Sequence, residues 1–315
     1  YQLDSTTVLP SGASSSNGTD HETKSYAIFA DFDLSLTEQL RLSVGGRYSK
    51  DEKAYRRFVL GGIDLSNEDD WSQFTPRVSL DYAVNDDLLV YASYAGGYRS
   101  GGFNGRGITS TSVQTSFEPE TVDSFEAGAK VTFLGGDGIF NVAAFYSKYN
   151  DKQEEVVQAT PPGSPNPQET VTRNAASATI KGLEADLRMQ LLDGFTITSS
   201  IGLLDASYDD FFIDLNLDGV QDPGEDASSR ELRRTPDVTF SVAADYRVPI
   251  GNSSELALNT RFSTTSSYQT TIVPAPGQFG VNDPRGIHPS LADLSAAATF
   301  KFDMSDTSSA YVRVF

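Results

Sequence analysis

The 315-residue sequence contains no cysteine, two methionines, two histidines and one tryptophan. Without cysteine there are no disulfides and no thiolate metal centres. Basic residues are scarce, 24 Lys and Arg against 43 Asp and Glu, so the net charge is -19. That balance excludes nucleic acid as a partner. No apolar run approaches the ~18 residues that a membrane-spanning helix needs. His21 and His288 each stand without a second ligand at metal-binding spacing and are read as surface loop residues. No nucleophile–base arrangement is present, so no enzymatic chemistry is expected. Gly101-Gly102 is not read as a phosphate loop, because no helix is expected after it. The chain opens on Tyr1-Gln2-Leu3 with no signal-peptide pattern.

What the sequence has in abundance is two-residue alternation. Tyr26, Ile28, Ala30, Phe32 and Leu34 fall on one face, with Asp31 and Asp33 on the other. Leu40, Leu42, Val44 and Tyr48 oppose Arg41, Ser43 and Arg47. The pattern returns at Val78–Tyr82, Leu88–Tyr98, Phe125–Phe133, Phe140–Tyr146, Leu183–Met189, Phe195–Leu203, Val238–Val248, Leu256–Phe262, Leu294–Phe302 and Tyr311–Phe315. Residues 1–22 and the polar stretch from Asp51 to Trp71 are read as loops.

Short turns recur near residues 36, 86, 136, 193, 252 and 305, a spacing of roughly 50 to 60, so the hairpin is the repeating unit. Short connections alternate with long polar ones, which brings every long loop to one end. One strand face is apolar and the other carries charges of both signs. A soluble sandwich also alternates, because its outer faces meet water. About twelve consecutive strands in an up-and-down meander, with all long loops at one end, fit a transmembrane β-barrel instead. The expected fold class is therefore all-β, an up-and-down antiparallel transmembrane β-barrel.

The phrases YASYAGGYRSGGFN and FEPETVDSFEAGAKVTF, between Tyr91 and Phe133, carry a family resemblance. So do NAASATIKGLEADLRMQ (Asn174 to Gln190), SLTEQLRLSVGGRYSKDEK and FTPRVSLDYAVNDDLLVYASY. In order and spacing, from about Lys24 to Phe315, they resemble TonB-dependent outer-membrane receptors. The resemblance implies a bacterial outer-membrane location and about twelve strands of a 22-stranded barrel with a plugged lumen. Residues 1–315 would then be a partial barrel domain, with the signal peptide, TonB box, plug and final strands outside the sequence. It also implies import of a scarce nutrient such as a ferric siderophore, energised by the TonB complex through the missing N-terminal part. The implied surroundings are the lipid bilayer and lipopolysaccharide, and the implied state is a monomer. A glycan or a cobalamin is an alternative cargo. A passive outer-membrane channel and a secreted, calcium-stabilised glycan-binding β-protein are the rival functions.

Three groups of residues are candidates for function. Arg41, Arg47, Arg77, Asp81, Glu126, Lys130, Glu184, Asp186, Arg188, Asp245, Arg247 and Arg261 would line the lumen, as a solvated wall, as ion pairs, or as contacts to a plug. Tyr98, Arg99, Phe103, Asn104 and Arg106 sit where a strand meets its outer loop and are candidate substrate contacts, or simply an aromatic girdle and loop. The third group is a calcium-like loop, Asp214, Asn216, Asp218, Val220, Asp222 and Glu225, with Gly219 at the sharp-turn position. This is the oxygen-ligand spacing of an EF-hand loop without its helices, and a structural Ca2+ is the expected cofactor. The bland reading of the same loop is an acidic surface.

Overall fold

The computed structural model describes residues 2–8, 14–59, 64–164, 167–213, 222, 224–251, 253–271, 284–305 and 308–315. Among the described residues seventeen strands follow one another. The first five are β1 (Gln2–Val8), β2 (Ser14–Ser35), β3 (Leu40–Val59), β4 (Asp64–Asn85) and β5 (Leu88–Arg99). Then come β6 (Gly102–Phe103), a one-turn helix α1 (Ser110–Gln114), β7 (Ser116–Phe117), β8 (Glu120–Phe133), β9 (Gly138–Ala159), β10 (Gln168–Leu192) and β11 (Phe195–Phe211). The chain finishes with β12 (Val238–Ile250), β13 (Ser254–Thr265), β14 (Tyr268–Gln269), β15 (Ile287–His288), β16 (Leu291–Ser305) and β17 (Ser308–Val314).

Thirteen of these strands form one antiparallel sheet in the order β1-β2-β3-β4-β5-β8-β9-β10-β11-β12-β13-β16-β17. Every neighbour in the sheet is also the next long strand in sequence, the up-and-down meander expected from the alternation. Among the described residues β1 and β17 do not pair, so the sheet is not closed. The remaining short strands make two ribbons, β6 with β7 and β14 with β15.

The register fixes the faces, because residues directly opposite in an antiparallel pair share one side. One row runs Leu34, Leu42, Leu80, Ala92, Ala127, Ala144, Leu183, Leu203 and Val238 without a break. It is apolar throughout and lies uncovered. Ile28 and Leu294, on the same face, are 74% and 72% exposed. Apolar side chains left this open over a whole sheet face are what lipid contact requires. The next row, Ser35, Arg41, Asp81, Tyr91, Gly128, Ala143 and Glu184, is the opposite wall. There the Tyr91 ring lies against Gly128, where a Cβ would come within 2.7 Å of it.

The inner end uses tight turns at Leu36–Gln39, Asp86–Asp87 and Asp193–Gly194, with Gly194 at φ 77 where a side chain would be strained. Leu134–Gly136 forms a 3-10 turn at the same end. The outer end departs from the sequence reading. Among the described residues, 2–8, 14–22, 51–59 and 64–71 are not loops but parts of β1 through β4, which pair in turn; residues 1, 9–13 and 60–63 of those stretches lie outside the described residues. Strand β9 continues to Ala159 and β10 has 25 residues, whereas about 9–11 suffice to cross a bilayer. The surplus projects beyond the membrane, where water meets both faces and alternation has no reason to persist.

The buried core lies in this projecting part. Val156, Val171, Ala176, Ala178, Tyr208, Phe211, Ile213, Ala227 and Leu232 form one cluster. It is built from the outer ends of β9, β10 and β11 and from the segment before β12. Register shifts between Asn174 and Ala178 bend β10 there, and Asp151 adopts φ 52 on the facing strand.

Candidate functional site

Tyr98, Arg99, Phe103, Asn104 and Arg106 lie at the outer end, where the connection from β5 to β8 folds back across the sheet. Lys53 Nζ on β3 donates to the Gly101 carbonyl at 2.5 Å. Phe103 stacks on Tyr55 with centroids 5.7 Å apart and lies against Trp71 at 5.9 Å. Trp71 Nε1 in turn donates to Glu118 Oε2 at 3.2 Å. Gly101 is required at this crossing, since a Cβ would fall 2.4 Å from the Trp71 ring.

The far side of the same loop is held by β10. Thr109 caps α1, its hydroxyl accepting from the Ser112 amide at 3.2 Å. Glu169, 5% exposed, accepts from the Ile108 amide (2.8 Å), the Thr109 amide (3.2 Å), the Thr109 hydroxyl (3.0 Å), Gln158 Nε2 (2.9 Å) and the Ser112 hydroxyl. Burial pushes its pKa up, but these donors outweigh burial and hold it below the ordinary glutamate value. Asn174 closes the other end, accepting from the Glu118 amide at 2.7 Å and donating to the Glu118 and Asp151 carbonyls, each at 2.8 Å.

A second buried carboxylate anchors the segment before β12. Glu154, 1% exposed, meets Lys152 Nζ at 2.7 Å and Arg233 Nη2 at 3.0 Å, and accepts from the Tyr208 hydroxyl at 2.8 Å. Burial and then the Glu154 charge push the Tyr208 pKa up, while Arg233 opposes the shift. The Arg234 amide donates to the Gln269 carbonyl at 2.7 Å, tying this segment to the β14–β15 ribbon.

The candidate substrate contacts do not act alike. Asn104 is buried and its side-chain oxygen accepts from the Thr172 amide at 2.6 Å, and Phe103 is packed as above, so both brace the loop. Arg99 and Arg106 are exposed, at 4.0 Å from Glu120 and 3.2 Å from Glu155. The Tyr98 hydroxyl is buried. Of the calcium-like loop, Asp214, Asn216, Asp218 and Val220 lie outside the described residues. Asp222 and Glu225 are brought together, the Asp222 amide donating to Glu225 Oε2 at 2.8 Å, with Glu225 4% exposed. The histidines are not loop residues: His21 lies in β2, edge-on to Tyr55, and His288 stacks on Tyr268 in a ribbon.

On the inner wall several charges pair with near strand neighbours. Arg77 reaches Asp31 at 3.0 Å and Arg41 reaches Asp81 at 3.5 Å. The Tyr91 hydroxyl donates to Glu126 at 2.7 Å, with Lys130 over the Tyr91 ring. Glu154 and Glu169 escaped the sequence reading, because nothing in a polar run marks which carboxylate will be buried by segments 54 to 79 residues away.

An antiparallel meander with an uncovered apolar face, tight inner turns and packed outer loops defines an outer-membrane β-barrel domain. The sequence matches the TonB dependent receptor-like, beta-barrel family over residues 1–314, and the chain belongs to that family. It is 26% identical over 218 residues to the ferric-pyoverdine M114 receptor PbuA of Pseudomonas sp. (strain M114), covering 66% of this chain and 24% of that receptor. Among solved structures it is similar to the ferric yersiniabactin uptake receptor FyuA from Yersinia pestis (TM-score 0.70, 16% identity, 99% of this chain and 47% of that one). It is also similar to the alcaligin outer-membrane receptor FauA from Bordetella pertussis (TM-score 0.58, 19% identity, 99% and 50%). The chain thus spans half or less of each of these relatives.

Proposed function

We propose that this chain is the barrel portion of a receptor that binds a ferric siderophore at the cell surface and imports it with energy delivered through TonB. The observation that carries this reading is the family match along 1–314, together with relatives whose names are those of ferric siderophore receptors. The outer loop cluster is where such a ligand first meets the protein. Of the candidate contacts, Arg99 and Arg106 are exposed cations with the chemistry to attract an anionic ferric chelate. Their ion pairs are surface pairs and are readily exchanged for a ligand carboxylate or catecholate.

The test is iron-limited growth of a strain carrying the full-length receptor as its one siderophore route. Growth on ferric siderophore should require both the receptor and TonB. Growth that persists without TonB would support the passive-channel reading, and growth unaffected by loss of the receptor would sink both. Residues 1–315 alone, directed to the outer membrane, should restore no uptake, because they contain no plug to gate the lumen.

A further inference from the structure

Glu155 stands between two outer segments and meets a cation from each. It lies on β9, where its backbone pairs with Thr172 of β10, so the sheet fixes its position. Its Oε1 accepts from Arg106 Nη1 of the β5–β8 connection at 3.2 Å. Its Oε2 is 3.9 Å from Arg233 Nη1 in the segment before β12, close enough for an ion pair but beyond hydrogen-bond length.

The two cations compete for one charge. Both guanidiniums are permanently charged, and a carboxylate carries a single negative charge. Arg233 donates through Nη2 to Glu154 at 3.0 Å, which leaves its Nη1 turned toward Glu155. The Arg106 and Glu155 side chains are 65% and 46% exposed, so their pair is exchangeable. The Arg233–Glu154 contact is not, because the Glu154 side chain is 2% exposed. Once Arg106 leaves, rotation of the Glu155 side chain can shorten its distance to Arg233 to a bonded length. Arg233 then holds two carboxylates on the two arms of its fork, a use that suits its planar donors.

We propose that Glu155 is a shared counter-ion that couples the two outer segments in opposition: when Arg106 withdraws from it, the segment before β12 tightens. Glu155 has one arrangement facing each segment, and a two-state element of this kind is what carries coupling between sites. The part a ligand plays rests on the siderophore-receptor reading. An anionic chelate that takes Arg106 withdraws it from Glu155, and capture at one loop is felt at the other.

The experiment is a double-mutant cycle read by hydrogen exchange on the full-length receptor in detergent, with no ligand added. Without a ligand, the coupling stands or fails apart from siderophore import. Arg106→Ala should slow exchange within residues 224–237 about two- to threefold, the scale of one partly exposed ion pair. Arg106→Gln keeps the side-chain stem and should act in the same direction, which separates lost charge from lost packing. Glu155→Gln keeps the side-chain size and removes the charge, and in that background Arg106→Ala should leave 224–237 unchanged. Faster exchange of 224–237 in the Arg106 variants would show that the β5–β8 connection only props the segment. That result, no change in either Arg106 variant, or the same slowing with Glu155→Gln present would each overturn the proposal.

Discussion

Glu154 and Arg233 stand 79 residues apart in sequence, yet their side chains meet at 3.0 Å inside the outer loop cluster. Glu154 also holds Lys152 and Tyr208. Removing Glu154 takes the shared partner from Lys152 (18% exposed) and Arg233 (32% exposed and also 3.9 Å from Glu155), so the cost falls below the about 3–5 kcal/mol of a fully buried ionic set. Glu154→Ala should therefore loosen the segment between β11 and β12. Limited proteolysis checks this: cleavage within 224–237 should accelerate sharply while the membrane-embedded hairpins stay protected. Equal cleavage of variant and parent would show that Glu154 is dispensable.

Glu169 makes the β5–β8 connection sensitive to acid. Its pKa is held below the ordinary value, so the pinning is complete above the unfolded carboxylate value and is lost as pH falls through the folded one. Hydrogen exchange of residues 108–112, corrected for intrinsic rates, should be slow at pH 7 and faster at pH 3. Glu169→Gln should exchange fast at both. A parent protein whose protection ignores pH would contradict this assignment.

The apolar row places Leu42, Val44, Leu80, Phe240 and Val242 against lipid, with Ser43 on the opposite side. Val44→Arg should cost about 2–4 kcal/mol in liposome refolding if it sits near mid-membrane, and Ser43→Arg little. Spin labels at the two positions should differ in accessibility to oxygen and to a water-soluble relaxer. Two water-exposed labels would rule out the lipid-facing assignment.

Calcium binding by the Asp214, Asn216, Asp218, Val220, Asp222 and Glu225 loop is proposed on spacing, with eight acids and no Lys or Arg between Asp205 and Asp226. Affinity should be on the order of 10⁻⁴–10⁻³ M, since no helices pre-shape the loop. Calorimetric titration of the full-length receptor should give heat that the Asp214→Ala, Asp218→Ala variant lacks. Identical heats would reduce the loop to a charged surface.

The sequence made the membrane-embedded half of this fold legible and left the outer half obscure, and the reason is solvent. Where lipid touches one side and the lumen the other, each residue must declare itself, so Leu42 against Ser43 is decisive. The tight turns at 36, 86, 136, 193 and 252 stand out for the same reason. Beyond the bilayer, Lys53–Phe58 and Asp64–Asp69 can carry polar residues on both faces and still pair as β3 and β4. The candidate contacts came from position alone, next to a glycine-rich strand end. Position singled out one loop, but it could not tell Asn104, which is spent on bracing β10, from Arg106, which faces solvent. Long-range acceptors such as Glu169 carry no local signature at all.

The length of β10 has one more consequence. With about 3.3 Å per residue, its 25 residues reach roughly 80 Å, far more than a tilted strand needs to traverse a hydrocarbon layer about 30 Å thick. One continuous ribbon is thus stabilised in two media. Its lower part is held by detergent or lipid, and its upper part by an ordinary water-excluded cluster around Phe211 and Tyr208. Denaturants act mainly on the second, and surfactant exchange mainly on the first. Unfolding should therefore proceed in two separable stages, the outer tower melting while the embedded hairpins persist.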